Sequence, residues 1–394
     1  MRKRIMVIDC SVNTLKTIKK LGINVICIEN KCKIQIKELL HSEDIYCEID
    51  YKDIALLKKE VGYLLNRFPV DAILSFSGDG QIAAVALQEE FQFNNYNQAE
   101  QIKLFKNKYN LRHLLNSHDF SYVNAKLINS KEALIEFANE NGFPFILKPC
   151  IGTGSTNIKK ISTFKEVYEL LDKEDPTAQL AEDYLEGIEI SVETFTYNGK
   201  HIVAGITDNC FGPNFMAFGH SVPTTLQDDL VNNINRFVVD FLTLTGVVFG
   251  PCHIEIKVTT NGLKIIEAHS RPGDDQIVDL HRLVFGIDTR QWTLEAIYTN
   301  NWHASYFEDK YPAAAIRFFN FEPNKKIATL DETIITYQYN FQNGDVLKNI
   351  KCSKDRHGYL MAIGNNVEEA VVHCNSAIQH MQIAYAEELG HHSL

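Results

Sequence analysis

In RIMVIDC, residues 5–8 are apolar without a break, and residues 13–21 then repeat apolar positions at helical spacing up to Gly22. INVICIEN, from Ile23, and VDAILSF, from Val70, are two further apolar runs; the second ends in SGDG, with a helix starting near Gln81 and Asp79 placed to cap it. Unbroken apolar runs alternating with helices predict a parallel sheet with right-handed crossovers over about residues 1–95. The first turn, DCSVN, lacks GxGxxG, so this doubly wound unit carries no dinucleotide fingerprint. The polar and aromatic stretch FQFNNYNQ reads as a linker.

From about residue 100 the pattern changes. The spacing predicts a helix over 103–116, a strand over 122–128, and a helix opened by a capping box of Asn129 and Glu132. Leu134, Phe137 and Ala138 form that helix's apolar stripe, and Gly142 with Pro144 ends it. FPFILKP and NIKKI are strands, and Thr163 with Glu166 suggests a second capping box for a helix over 164–173. EISVETFTY, Asn198-Gly199 and KHIVAGIT form a hairpin. Residues 228–245 are an amphipathic helix, and beyond 310 short strands with a helix over about 367–388 form a smaller terminal subdomain.

At 394 residues the chain is too long for one core, and 45% apolar with 23% charged residues is an ordinary globular composition. A formal net charge of −11 argues against nucleic acid or an anionic membrane as partner. The opening MRKRIMVIDC is interrupted by Asp9 and is too short for a signal peptide, and no apolar segment approaches a membrane span. The nine cysteines are scattered and never form CxxC; Cys27 and Cys252 sit inside apolar runs as small core residues. A reducing cytoplasm is the expected compartment.

Candidate chemistry begins at FPFILKPCIGTGSTNI. Lys148 ends an apolar strand before Gly152 and Gly154, whereas a P-loop places its lysine after its glycines. The second candidate is GPCHIEIKVTTNGLKIIEAHSRPGDD, two strands joined through Asn261-Gly262. A three-residue loop of Thr260, Asn261 and Gly262 would set Glu255 opposite Glu267 and His253 opposite His269, leaving Ile254, Ile256, Val258, Ile266 and Ala268 for the core. Facing carboxylates destabilise a strand pair by up to about 1 kcal/mol. One reading puts a divalent cation between them; a two-residue loop would instead slip the register and leave both glutamates on a solvated surface. Two histidines and two glutamates would also suit zinc or iron. The glycine loop decides for ATP with Mg²⁺ or Mn²⁺, since zinc hydrolysis would explain only half of the pattern.

These residues resemble the ATP-grasp superfamily, and within it the carboxylate–amine ligases that join amino acids. The resemblance runs from about residue 100 to 290, in the family's order. It implies an α/β fold with a pre-ATP-grasp parallel-sheet domain (1–98), a helical linker with a central lid subdomain (99–187), a C-terminal catalytic domain (188–305) and a terminal α+β subdomain (306–394). KNKYNLRHLL resembles the segment carrying the first ATP lysine, here Lys108, and FPFILKP the strand carrying the second, Lys148. IGTGSTN resembles the loop that closes over phosphates, including Gly152, Gly154 and Ser155. AEDYLEGIEISVE is similar to the hinge beside adenine and ribose, which implies Glu182 and the backbone of Asp183, Tyr184 and Leu185 for adenine and Glu189 for ribose. Glu255 and Glu267 match the metal carboxylates, and Arg271 the arginine that meets the acyl phosphate. His220, in FMAFGHSVPTT, matches a segment near the amino-acid site.

Three departures stand out. Relatives usually have Glu-x-Asn where this chain has Glu267-Ala268-His269, so His269 would replace Asn as a metal ligand or touch a phosphate. Their loop usually ends Ser-x-Gly, here Ser155-Thr156-Asn157, and Asn tolerates the left-handed conformation. After Arg271-Pro272-Gly273, Asp274 and Asp275 replace a further glycine; they would favour a cationic group on the substrate or cap the next helix. The resemblance implies small-molecule carboxylate and amine substrates, amino acids first among them, and leaves a homodimer open. A substrate carboxylate would attack the γ-phosphate, and an amine would attack the resulting acyl phosphate with Arg271, Lys148 and His220 in attendance. The rivals are an ATP-grasp carboxylase or thiol ligase, a non-catalytic nucleotide-binding module, and the His/Glu metalloenzyme.

Overall fold

The computed structural model of the protein describes residues 3–94, 98–152, 154, 156–173, 176–212, 215–299, 301–308, 310–319, 333–339, 350 and 352–390. Four strands, β1 (Arg4–Ile8), β2 (Asn24–Glu29), β3 (Ile45–Glu48) and β4 (Ala72–Leu74), form a parallel sheet in the order β3-β2-β1-β4. Both faces are covered, which is why the centres of β1 and β2 are apolar on both sides: Ile5, Val7 and Val25 pack toward one core, Met6, Ile8 and Ile26 toward another. Asp79 stands at the N-cap of the following helix, Gly80–Glu90, but makes no capping bond; the Ser77 hydroxyl accepts from the Gly80 amide instead.

A second, antiparallel sheet holds β5 (Ala125–Ile128), β6 (Phe145–Pro149), β7 (Lys159–Ile161) and β8 (Gln179–Asp183) in the order β5-β8-β6-β7. Helices Lys131–Asn141 and Phe164–Leu171 cover one face through Leu134, Phe137 and Val167, which leaves the other face free to line a cavity. The helix expected from Asn129 starts one residue later. Ser130 accepts from the Ala133 amide, while Asn129 accepts from the Ala178 amide and ties the helix to the start of β8.

The third sheet has eight strands: β9 (Ile188–Tyr197), β10 (Lys200–Phe211), β11 (Ala217–Val222), β12 (Phe249–Thr259), β13 (Gly262–His269), β14 (Ala313–Phe319), β15 (Ile334–Tyr339) and β16 (Gly358–Gly364), ordered β13-β12-β9-β10-β11-β14-β16-β15. Its core lies under helix Asp228–Leu244, where Ile234, Val238 and Phe241 meet Val192, Ile254 and Ile256. The expected single helix over 103–116 is two, Ala99–Lys106 and Lys108–Ser117. Asn107 is extended (φ −103°, ψ 102°), and its side chain accepts from the Tyr109 and Asn110 amides, so it caps a new helix at Lys108.

The β12–β13 hairpin satisfies half of each reading of its loop. Thr259 pairs with Gly262, so the turn has two residues, Thr260 and Asn261, not three. A bulge between Glu255 and Ile256 then shifts the register by one, restoring Glu255 opposite Glu267 and His253 opposite His269. The expectation that Ile266 belongs to the core is therefore corrected. Ile265 is fully buried, and Ile266, the extra residue of the bulge, lines the cavity. Among the described residues, no helix is long and apolar enough to cross a membrane.

Candidate functional site

A cavity of about 570 Å³ lies between the free face of the β5–β8 sheet and the β9–β13 end of the large sheet. The first helical residue after Asn107, Lys108, is 8% exposed there. Its Nζ lies 2.7 Å from Glu267 and donates to the Gly152 carbonyl at 3.0 Å. Burial would lower the Lys108 pKa, but Glu267, then Glu255 and Glu182, outweigh it and hold the ammonium above its ordinary range.

Lys148, on β6, meets Glu182, on β8, at 2.5 Å, and the second Glu182 oxygen meets Nε of Arg112 at 3.0 Å. Burial opposes ionisation of Glu182, yet Lys148 and Arg112 keep its pKa below normal. Asp183, Tyr184 and Leu185 continue along the cavity, with the Lys160 ammonium 3.7 Å over the Tyr184 ring. Glu189, at the start of β9, sits 3.0 Å from Lys257; burial and then Glu255 raise its carboxyl to about 7.

On β12 and β13 each facing glutamate has a histidine beside it. His269 Nε2 lies 3.1 Å from Glu267 and His253 Nε2 lies 3.4 Å from Glu255, with the two rings stacked 6.0 Å apart. Burial and the neighbouring Arg271 lower the His269 pKa, while Glu267 is held well below the carboxylate range against burial by Lys108 and His269. Behind them, Glu193 on β9 is 1% exposed. One of its oxygens bonds His253 Nδ1 and the other accepts from the Gly273 amide at 2.9 Å. Glu193 overcomes the opposing effect of burial and raises the His253 imidazole to about 10. A side chain at Gly273 would bring its Cβ within 2.5 Å of Glu193, so this approach requires glycine.

The far wall is built after β13. Arg271 is buried, with Nη1 donating to the Pro272 carbonyl and Nη2 2.8 Å from Asp274. His220, on β11, bonds Asn209 at 2.8 Å and lies 3.6 Å from Asp275, which pairs at 2.7 Å with Arg356. Burial resists ionisation of Asp275, but His220 and Arg356 hold its carboxyl far below normal. Asp275 does not cap the next helix: Gln276 holds that position, with φ +64°. Asn157, at the loop's end, does adopt the left-handed conformation (φ +60°).

The cavity thus gathers Lys108, Lys148, Gly152, Gly154, Glu182, Glu189, His220, Glu255, Glu267, His269, Arg271, Asp274 and Asp275 on its lining, and Gly273 stands behind them on Glu193. Ser155 lies outside the described residues. Sequence reasoning missed Arg112, Glu193, Asn209, Lys257 and Arg356. Glu193 had a signal, since Glu189, Ser191 and Glu193 alternate with the apolar Ile190 and Val192 along the strand. Arg356 had none, because nothing in the sequence ties it to Asp275, 81 residues earlier.

Comparisons with known proteins agree with this architecture. Residues 141–279 match the family model of the ATP-grasp domain. The carbamoyl phosphate synthase large chain of Clostridium botulinum is 24% identical over 272 residues, covering 66% of this chain and 25% of that one. The first curated relatives it matches are longer, and the chain spans between 25% and 33% of their length. Among solved structures, an L-amino acid ligase from Bacillus licheniformis superimposes with TM-score 0.81 at 17% identity, covering 96% of this chain and 98% of that one. A phosphoribosylglycinamide synthetase from Anaerococcus prevotii gives 0.75 at 16% identity, with 96% and 98% covered. Residues 141–279 are therefore an ATP-grasp domain, and the chain has the ATP-grasp fold.

Proposed function

We propose that the protein is an ATP-dependent ligase that joins the carboxylate of one substrate, an amino acid, to the amine of another through an acyl phosphate, releasing ADP and phosphate. The observation that carries this reading is the charge layout of one cavity, with the opposed Glu255 and Glu267 between the buried cations Lys108, Lys148 and Arg271. Phosphoryl transfer needs positioned charge more than a covalent nucleophile, and this wall supplies it. Glu255 and Glu267 would hold Mg²⁺ or Mn²⁺, with His269 beside them, and the ion would supply charge neutralisation between phosphate oxygens.

The donor set fits that ion better than zinc or iron. The carboxylates are hard oxygen donors, while His253 is bonded to Glu193 and His269 to Glu267. Among the described residues, no group of three or more His, Cys, Asp or Glu is arranged to hold a metal by itself, which suits an ion completed by phosphate oxygens and water. Lys108 and Lys148 would meet the phosphates beside Gly152 and Gly154. Glu182, Asp183, Tyr184 and Leu185 would meet adenine, and Glu189 the ribose. Arg271 would stabilise the acyl phosphate and its departing phosphate, with His220 and residues 273–275 at the substrate.

The test is incubation with ATP, Mg²⁺ and pools of amino acids while ADP, AMP and phosphate are followed. ADP and phosphate that rise only with particular amino-acid pairs are expected. AMP with pyrophosphate would sink the acyl-phosphate mechanism. Bicarbonate- or thiol-dependent ADP formation would point to a carboxylase or thiol ligase, and an absence of turnover in every pool to a binding module.

A further inference from the structure

Helix Lys108–Ser117 carries two buried cations one turn apart, Lys108 and Arg112, and each bonds to both sides of the cavity. Lys108 does so at Glu267 and at the Gly152 carbonyl. Arg112, 3% exposed, does so with three separate nitrogens. Nε donates to Glu182 on β8 at 3.0 Å, Nη2 to the Ile265 carbonyl on β13 at 2.7 Å, and Nη1 to the Ser121 carbonyl at 3.4 Å. Ser121 completes the contact, since its hydroxyl accepts from the Ile265 amide at 2.7 Å. β13 is an edge of the eight-stranded sheet, and here both backbone polar groups of Ile265 are bonded instead of lying open. Ile265 stands beside the bulge residue Ile266 and two residues before Glu267.

These partners fall where the β5–β8 sheet joins the rest of the chain. The sheet spans residues 125–183, so the chain enters it through 118–124 and leaves it through 184–187. Ser121 lies on the entry, and Glu182 is the penultimate residue of β8. The two crossings are also tied to each other: the Asp183 amide donates to the Asn124 carbonyl at 3.0 Å, and the Asn124 amide to the Asp183 carboxylate at 3.1 Å. Ser121 is left-handed (φ +56°), a conformation that a residue with a Cβ keeps where surrounding contacts hold it. Arg112 itself is not among the residues that line the cavity, so whatever it does at the site it does through others. A planar guanidinium with its donors in a rigid fork suits three acceptors in fixed directions; a lysine ammonium on a flexible stem does not.

We infer that Arg112 is a positioning residue that sets the β5–β8 sheet against the carboxylate hairpin, fixing Glu182 on one side and the Ile265–Glu267 stretch on the other. The inference rests on the nucleotide and metal part of the ligase reading. One guanidinium serves both sides, so its loss should appear in two binding constants together, the affinity for ATP and the requirement for Mg²⁺.

The experiment measures ATP binding across a Mg²⁺ titration for the wild type, Arg112→Met, Arg112→Lys and Ser121→Ala. In both Arg112 variants the ATP dissociation constant at saturating Mg²⁺ and the Mg²⁺ midpoint should each rise by about 10-fold, the ordinary loss for a group standing behind a binding residue. Lysine restores a charge beside Glu182 but not the fork. An Arg112→Lys protein matching the wild type would therefore reduce Arg112 to a counter-ion and overturn the assignment. So would Arg112 variants with a lower Tm and both constants unchanged. Ser121→Ala removes only the acceptor of the Ile265 amide, and it decides the matter if the Arg112 variants do not fold. Its Mg²⁺ midpoint should rise by about 5-fold while ATP affinity at saturating Mg²⁺ holds, and an unshifted midpoint overturns the assignment. If the wild type binds no ATP, the nucleotide reading has failed, and amide hydrogen exchange judges Arg112 alone. Arg112→Met should then lose protection in residues 179–183 and 263–267 while β1 and β2 keep theirs; uniform loss or unchanged exchange overturns the assignment.

Discussion

Glu193 reaches two parts of the site from one buried position on β9. Through His253 it backs Glu255, and through the Gly273 amide it fixes the turn that carries Arg271. Glu193→Gln keeps the shape of the side chain but removes the charge that holds His253 protonated. If Glu255 holds the ion as proposed, the expected result is a fall in turnover of about 10- to 100-fold with a raised Mg²⁺ requirement, the usual size for a group supporting a metal ligand. Steady-state phosphate release across a Mg²⁺ titration checks it; an unchanged Mg²⁺ dependence with only a lower Tm would mean that Glu193 is structural. Glu267→Gln is the sharper substitution, because Glu267 faces Glu255, holds Lys108 and bonds His269. Turnover should drop by about 100-fold or more. A Glu267→Gln protein with full ADP formation would remove the metal assignment altogether.

At the scale of elements, the structure depends on small irregularities that periodicity does not report. The opposition of the two glutamates was legible from the alternation in HIEIKV and LKIIEAH, but the route to it was not. A tight two-residue turn would have misaligned them, and one extra residue at Ile266 corrects the register. The alternation is the same with and without such a bulge, so only packing distinguishes them: Ile265 fills the core and Ile266 does not. Likewise, the break at Asn107 was hidden because helical spacing continues across it, while the asparagine's own bonds to the Tyr109 and Asn110 amides end one helix and start another. Packing of helix Ile277–Phe285 on β10 gives a pH prediction. His281 is 1% exposed, its Nε2 lies 2.7 Å from the Thr207 hydroxyl, and burial pushes its imidazole down to about 4. Its folded pKa lies below that of the unfolded chain, about 6.5, so the unfolded chain takes up this proton first. Stability present above pH ~6.5 is therefore lost as pH falls toward 4, by up to about 3 kcal/mol from this group. His281→Gln should flatten that loss. Urea midpoints at pH 7, 5.5 and 4.5 should show the gap between wild type and variant changing by roughly 1 kcal/mol per pH unit below 6, with carboxylates common to both cancelling.

For the whole molecule, what stayed illegible is what long-range topology decides. Local pattern located the parallel sheet, the strands of the β5–β8 sheet and the carboxylate hairpin, because each is written within a few dozen residues. The placement of the terminal segment is not local. The division proposed at 305/306 separates strands that share one sheet: β14 pairs with β11 from Gly219↔Arg317 to Val222↔Ala314, and with β16 along its whole length. Ala314, Ile316 and Met361 pack with Val222, Leu280 and Val284, and Arg356 reaches back to Asp275. A chain ending at residue 305 would leave β11 as an unpaired edge, strip the apolar face beside helix Ile277–Phe285 and leave Asp275 without its arginine. A domain is ordinarily stable by only about 5–15 kcal/mol, so losing an apolar layer, a sheet partner and an ion pair together weighs heavily against folding. The truncated chain should therefore express as insoluble protein, or as a species lacking a cooperative thermal transition, whereas the full chain melts cooperatively. A soluble 1–305 chain with a sharp melt and intact nucleotide-induced stabilisation would show instead that the β9–β13 sheet closes its own core, and that the terminal strands serve only the Arg356 wall.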